Sequence, residues 1–149
     1  MSANPAPART GARSVLLVED DPDIGHMIER RLAHEGLSIR RASNGEEALR
    51  LAMDSPPDVI VLDLMLPGMD GYKMARILRQ QEGCATVPIV IVSALSHRDN
   101  RKRAAKEAGA CAYLTKPFDF PEMVEAVRKA LQPLGLEDEP NPTTPEPQR

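Results

Sequence analysis

The chain has 149 residues, 42 % of them hydrophobic and 28 % charged, which suits one globular domain with a core large enough to need no metal or disulfide staples. A formal charge of -3, no tryptophan and 3 % aromatics argue against an electrostatically driven or base-stacking nucleic-acid binder. Two cysteines are too few for a disulfide scaffold, and no run approaches the roughly 18 apolar residues of a membrane span.

Half of the prolines lie in the two ends. Residues 1–13 are small, polar and proline-bearing, with no apolar stretch that would make a secretory signal, so a flexible leading tail and a cytoplasmic location are expected. Residues 133–149 are proline-rich and acidic and read as a flexible tail or a truncated linker. The domain is expected over 14–132.

Ser14-Val15-Leu16-Leu17-Val18 is a short apolar run suited to a strand buried on both faces. Asp21 and Pro22 then fit the cap and first turn of a helix, with Ile24, Met27, Ile28 and Leu32 at helical spacing and Gly36 as its stop. Residues 37–42 form a second, mixed strand expected near a sheet edge. Ser43 and Glu46 have capping-box spacing ahead of Ala48, Leu49 and Ala52, and Pro56-Pro57 ends that helix. Val59-Ile60-Val61-Leu62 is a third strand closed by Asp63. A loop follows, then a helix over about 71–81. Residues 88–92 form a fourth strand closed by Ser93. Ser96 and Asp99 again show capping-box spacing before a helix to about Ala108. Residues 111–114 form a fifth strand, and Asp119 and Pro121 open a last helix carrying Phe120, Met123, Val124, Val127 and Leu131 on its apolar side.

Five strand–helix units of this kind imply an α/β fold, a doubly wound parallel sheet covered on both faces with right-handed crossovers. Ligands in such folds bind beyond the C-terminal strand ends. Glu19 and Asp20 follow strand one, Asp63 ends strand three, Ser93 ends strand four and Lys116 follows strand five. If these strands are neighbours, all five side chains meet at one edge. Three carboxylates in one pocket repel one another unless a hard cation such as magnesium sits among them. Asp63 then has the chemistry of a phosphoryl acceptor, Lys116 that of a point charge for a phosphoryl oxygen, and Ser93 that of a hydroxyl donor. Taken singly each has a plainer reading: Asp21 as a cap, Asp63 and Ser93 as turn residues, Lys116 as a solvated lysine.

The segments LLVEDD at 16–21, VLDLMLPGMDG at 61–71, IVIVSA at 89–94 and AYLTKPF at 112–118 resemble, in order and spacing, the response-regulator receiver domain of bacterial two-component signalling. The resemblance covers about Ser14 to Leu131. It implies a flavodoxin-like fold, a five-stranded parallel sheet in the order 2-1-3-4-5 with five helices. It implies that Asp63 accepts a phosphoryl group from a sensor histidine kinase or a histidine phosphotransfer protein. Mg2+, with Mn2+ as a substitute, is expected on Glu19, Asp20, Asp63 and the backbone carbonyl of Met65. Ser93 and Lys116 match the residues that contact the phosphoryl group, Tyr113 matches the aromatic switch position, and Pro117 follows the lysine where the family often has a cis bond. Output is expected through a downstream protein or a homodimer built on helix four, strand five and helix five, without direct nucleic-acid or membrane contact.

Two features depart from the family pattern. Glu19 replaces the commoner Asp, which preserves the metal role. The interval from Ser93 to Lys116 is one residue longer than usual, to be absorbed in the helix-four region or near Gly109. Met65 and Leu95 match positions that influence hydrolysis in the family; neither can orient a water, so a persistent phosphoryl group is expected. His97, Arg98, Arg101, Lys102, Arg103 and Lys106 on helix four read as a solvated face or a contact for an acidic partner. His26 and the cysteines Cys84 and Cys111 carry no site signal. Two other readings compete. A pseudo-receiver that binds proteins without phosphorylation is disfavoured by the retained Asp20, Asp63, Ser93 and Lys116. A magnesium-dependent aspartyl-phosphate phosphatase commonly needs a second acid near the nucleophile, and Met65 stands there.

Overall fold

A computed structural model describes residues 11–94 and 98–132. In chain order the elements are β1 (Ser14–Val18), α1 (Pro22–His34), β2 (Ser38–Ala42), α2 (Gly45–Asp54), β3 (Val59–Leu62), α3 (Gly71–Arg79), β4 (Ile89–Ser93), α4 (Arg98–Arg103) running into a π-helical turn (Ala104–Ala108), β5 (Ala110–Thr115) and α5 (Phe120–Leu131). All strand pairs are parallel, in the order β2-β1-β3-β4-β5. The flavodoxin-like arrangement expected from the sequence is the one found.

The period-two alternation of the strands sorts the core into two layers. Leu16, Val18, Ile60, Leu62, Ile89 and Ile91 face α2, α3 and the π turn, where Ala48, Ala52, Met74, Leu78, Ala104 and Ala108 meet them. Val15, Leu17, Val59, Val61, Val90 and Val92 face α1 and α5, against Ile28, Leu32, Met123 and Val127. Central strands buried on both sides favour apolar residues, which is why Val15–Val18, Val59–Leu62 and Ile89–Val92 are unbroken apolar runs. Each fully buried Leu or Ile stabilises by about 1.5–3 kcal/mol relative to exposure. β2 and β5 lie at the edges and are only partly buried.

Caps fix where the helices begin. Asp21 caps α1, its Oδ1 accepting from the amides of Asp23 at 2.9 Å and Ile24 at 3.2 Å. Asp70 caps α3 through the Lys73 amide at 2.8 Å. The cap of α2 lies one residue later than Ser43/Glu46: Asn44 Oδ1 accepts from the Glu47 amide at 2.8 Å, and Glu47 Oε1 accepts from the Ser43 amide at 2.9 Å. Asparagine wins because its side chain reaches the amide of the third helical residue from an extended backbone, and Gly45 behind it lies close to Met69. Helix α3 ends at Arg79, earlier than its apolar spacing suggests.

The helix-four region differs from the continuous helix expected. Regular α-helix stops at Arg103 and the next five residues form a π turn, closed by Gly109 at φ +68°. A π turn takes one more residue than the α-helix it interrupts. A bulge follows at once: Ile89 pairs with Ala110 and Val90 with Ala112, leaving Cys111 as an extra residue. Both irregularities lie in the long Ser93–Lys116 interval. Arg79 braces them, its guanidinium donating to the carbonyls of Ala108 and Gly109 at 3.3 Å and of Val87 at 2.6 Å.

Arg13, grouped by sequence with the leading tail, is tied to the domain: its carbonyl accepts from Ser38 N–H at 2.9 Å and its guanidinium donates to the Leu131 carbonyl at 3.0 Å. The remaining tail residues 1–10 and 133–149, and Leu95, Ser96 and His97, lie outside the described residues. Among the described residues no helix is long and apolar enough to cross a membrane.

Candidate functional site

The C-terminal ends of β1 and β3 are in register, Val18 beside Leu62, at the point where strand order reverses. The next residues therefore emerge together. Asp63 N–H donates to Val18 O at 3.0 Å, and Lys116 N–H donates to Ser93 O at 2.8 Å, so backbone pairing continues one residue past the strands and fixes both side chains. Carboxylate oxygens of Glu19, Asp20 and Asp63 lie within 4.8 Å of one another. Glu19 and Asp63 are 3 % and 5 % exposed, whereas Asp20 faces solvent.

Lys116 bridges two carboxylates of this cluster. Its Nζ donates to Glu19 Oε1 at 2.8 Å and to Asp63 Oδ2 at 2.9 Å. Asp63 Oδ1 accepts from the Met65 amide at 3.0 Å, and Glu19 Oε2 accepts from the Asp21 amide at 3.1 Å. Burial raises the Glu19 carboxyl above its ordinary range, against the hydrogen bonds from Lys116 and Asp21. Burial alone would lower the Lys116 ammonium, but its hydrogen bonds to Glu19 and Asp63 outweigh that and raise it. The Lys116–Pro117 peptide is cis, as the family resemblance implied.

The residues suit a hard divalent cation. Three carboxylate side chains converge, one of them open to solvent, and the single ammonium of Lys116 does not balance their formal charge. Met65 is exposed, and its amide rather than its carbonyl is what meets Asp63 here.

Ser93 is fully buried at the end of β4, and its side chain shares a hydrogen bond with the half-buried Tyr113 on β5. Burial raises the Tyr113 phenol, with the Ser93 hydrogen bond and the Arg101 charge opposing. The guanidinium of Arg101 lies 5.2 Å from the Tyr113 ring centroid. On the other flank of α4, Arg103 lies 3.9 Å over the ring of Tyr72, a buried residue of α3. Sequence reasoning assigned no role to Tyr72 and placed Arg101 and Arg103 on a solvated face. Their only signal was two basic residues two apart on a helix without an apolar stripe.

The family description "Response regulator receiver domain" matches residues 15–128. The transcriptional regulatory protein PrrA of Mycobacterium tuberculosis is 41 % identical over 128 residues, covering 85 % of this chain and 54 % of that protein. A putative response regulator from Chloroflexus aurantiacus superimposes with a TM-score of 0.75 at 38 % identity, over 80 % of this chain and 98 % of that one. The receiver domain of the sensor histidine kinase PA1611 from Pseudomonas aeruginosa, solved with magnesium coordinated in its active-site cleft, gives a TM-score of 0.74 at 32 % identity, over 81 % and 98 %. The chain spans about half the length of the curated relatives it matches.

Proposed function

The chain belongs to the response-regulator receiver family, the phosphorylation-activated switches of two-component signalling, and we propose that Asp63 is its phosphoryl acceptor. The observation that carries this is the placement of Asp63, nearly buried, with one oxygen on the Met65 amide and the other on Lys116. A carboxylate oxygen of Asp63 attacks the phosphorus of a phosphohistidine on a sensor kinase or phosphotransfer protein. The P–N bond breaks, its electron pair stays on the imidazole nitrogen, which takes a proton, and an acyl phosphate remains on Asp63. Lys116 exchanges a carboxylate partner for a phosphoryl oxygen, and the Ser93 hydroxyl donates to another. Glu19, Asp20, Asp63 and the Met65 carbonyl would hold Mg2+, or Mn2+ in its place, which would supply positive charge against the phosphoryl oxygens.

Donation by the Ser93 hydroxyl to the phosphoryl group rearranges the hydrogen bond it shares with Tyr113. The Ser93–Tyr113 pair thus links the acceptor to α4, β5 and α5, the face through which a downstream protein or a second copy is bound. Direct nucleic-acid and membrane contacts are not part of this reading, and the site of action is the cytoplasm. Where this domain is joined to a further one, as the length of PrrA suggests, that domain carries the transcriptional output. Turnover of an external substrate is not part of this reading, since position 65, two beyond the nucleophile, is methionine rather than an acid.

The test is intact-mass spectrometry after treatment with a small phosphoramidate and magnesium, with Asp63→Ala alongside. A gain of about 80 Da on wild type alone is expected. A folded wild type that gains no mass refutes the proposal in favour of a phosphorylation-independent binding module.

A further inference from the structure

Helix α4 has no buried side chain among those described; the first are Ala104 and Ala108 in the π turn. A helix without an apolar face toward the core must be held by other contacts. Two tyrosines supply them. Toward β5, Arg101 stacks on Tyr113, donates to the Tyr113 carbonyl at 3.2 Å and to Thr115 Oγ1 at 3.4 Å. Toward α3, the Tyr72 hydroxyl donates to the Asn100 carbonyl at 3.2 Å and its ring lies under Arg103. Arg103 is held in turn by Glu107 at 3.1 Å, which also pairs with Arg76 of α3 at 3.5 Å. Residues two apart are about 200° apart around a helix, so the two arginines straddle α4 and grip opposite flanks.

Tyr72 also faces the other side of the switch. With Leu64, Met65, Leu66 and Asp70 it lines an open groove of about 490 Å³ beside the loop that follows Asp63. Gly71 N–H donates to Leu64 O at 2.9 Å, tying the start of α3 to that loop. Tyr72 thus stands between the loop of the acceptor, to which its neighbour Gly71 is tied, and the first turn of α4, to which its own hydroxyl donates.

We propose that Tyr72 and Arg103 are positioning residues that couple the Asp63 loop to α4, a second connection beside the Ser93–Tyr113 pair. The inference rests on Asp63 being the acceptor. A phosphoryl group at Asp63 fixes the loop and, through Ser93, Tyr113. Both tyrosines then hold α4 in one position. By linkage, whatever the Tyr72–Arg103 contact contributes to that position is returned as affinity for the phosphoryl group.

The test uses the full chain with magnesium and trifluoroberyllate as the phosphoryl mimic, followed by calorimetric titration, for Tyr72→Leu, Arg103→Gln, their double mutant and Tyr72→Phe. Each of the first two should weaken mimic binding roughly two- to five-fold, the range of an exposed cation–π contact. The double mutant should be no weaker than the worse single, because both remove one contact. Tyr72→Phe, which keeps the ring, should recover part of the loss. Should Tyr72→Leu not fold, the half-exposed Arg103→Gln and Tyr72→Phe decide alone. Unchanged affinity in folded variants overturns the proposal even where they melt lower, since a merely structural pair affects both states equally. Fully additive losses also overturn it. A wild type that does not bind the mimic overturns the acceptor assignment and this inference with it.

Discussion

Lys116 holds together two carboxylates that would otherwise face one another with little solvent exposure, and Lys116→Met isolates that role. Its side chain is 17 % exposed, while those of Glu19 and Asp63 are 2 % and 6 % exposed. Methionine fills most of the stem's volume, so the change removes mainly the ammonium. Deleting one member of a buried ion pair costs about 3–5 kcal/mol. Residual exposure and the solvent-facing Asp20 place this case at the low end, about 3 kcal/mol. For a domain of this size that is a fall of about 10 °C in melting temperature in the presence of a chelator. Magnesium should then restore more stability to the variant than it adds to wild type, because the dication replaces the missing charge without competing against Lys116. Thermal and urea melts with chelator and with millimolar magnesium measure both effects. Equal melting of variant and wild type in chelator, or a magnesium gain no larger in the variant, would refute the reasoning.

The stability difference between wild type and Lys116→Met should be flat near neutral pH and shrink at both extremes. The Lys116 pKa is raised in the fold, so its contribution is full below the ordinary lysine range and is lost as pH rises through the raised value. The Glu19 pKa is also raised, so acid neutralises Glu19 early and relieves the variant's uncompensated charge; urea melts across pH would show a monotonic difference if this were wrong. Gly71→Ala places a Cβ 2.7 Å from Leu64 Cα and 2.8 Å from Asp63 O, both backbone, so a loss of about 1–3 kcal/mol and a disproportionate fall in phosphorylation rate are expected; an unchanged rate counts against the loop's role. Asn44→Ala should cost about 1 kcal/mol by chemical denaturation and Ser43→Ala less than half of that; the reverse order would return the α2 cap to Ser43.

The strands were legible because both sheet faces are covered. Under that condition Val15–Val18, Val59–Leu62 and Ile89–Val92 admit only apolar residues, and no tertiary choice competes with the pattern. The acid pocket was legible for a related reason: in parallel sheets side chains just past the strand ends converge whatever the loops do. Local rules of equal strength were less decisive. Ser43/Glu46 and Asn44/Glu47 both have capping spacing, and only the tertiary fold, with Gly45 set close to Met69, distinguishes them. The π turn at Ala104–Ala108 and the bulge at Cys111 were visible only as one surplus residue, because where an insertion settles depends on contacts such as those of Arg79. The roles of Arg101 and Arg103 were hidden for a different reason. Helical spacing places a charge on a face, but it does not say which aromatic from α3 or β5 meets that face.

The central claim is that one carboxylate, Asp63, carries the phosphoryl group, and chemical trapping addresses it most directly. Borohydride reduction of the phosphoramidate-treated chain, followed by peptide mapping, should convert residue 63 alone to homoserine. Homoserine at position 20, or at neither position in a chain that has gained a phosphoryl group, would contradict the account.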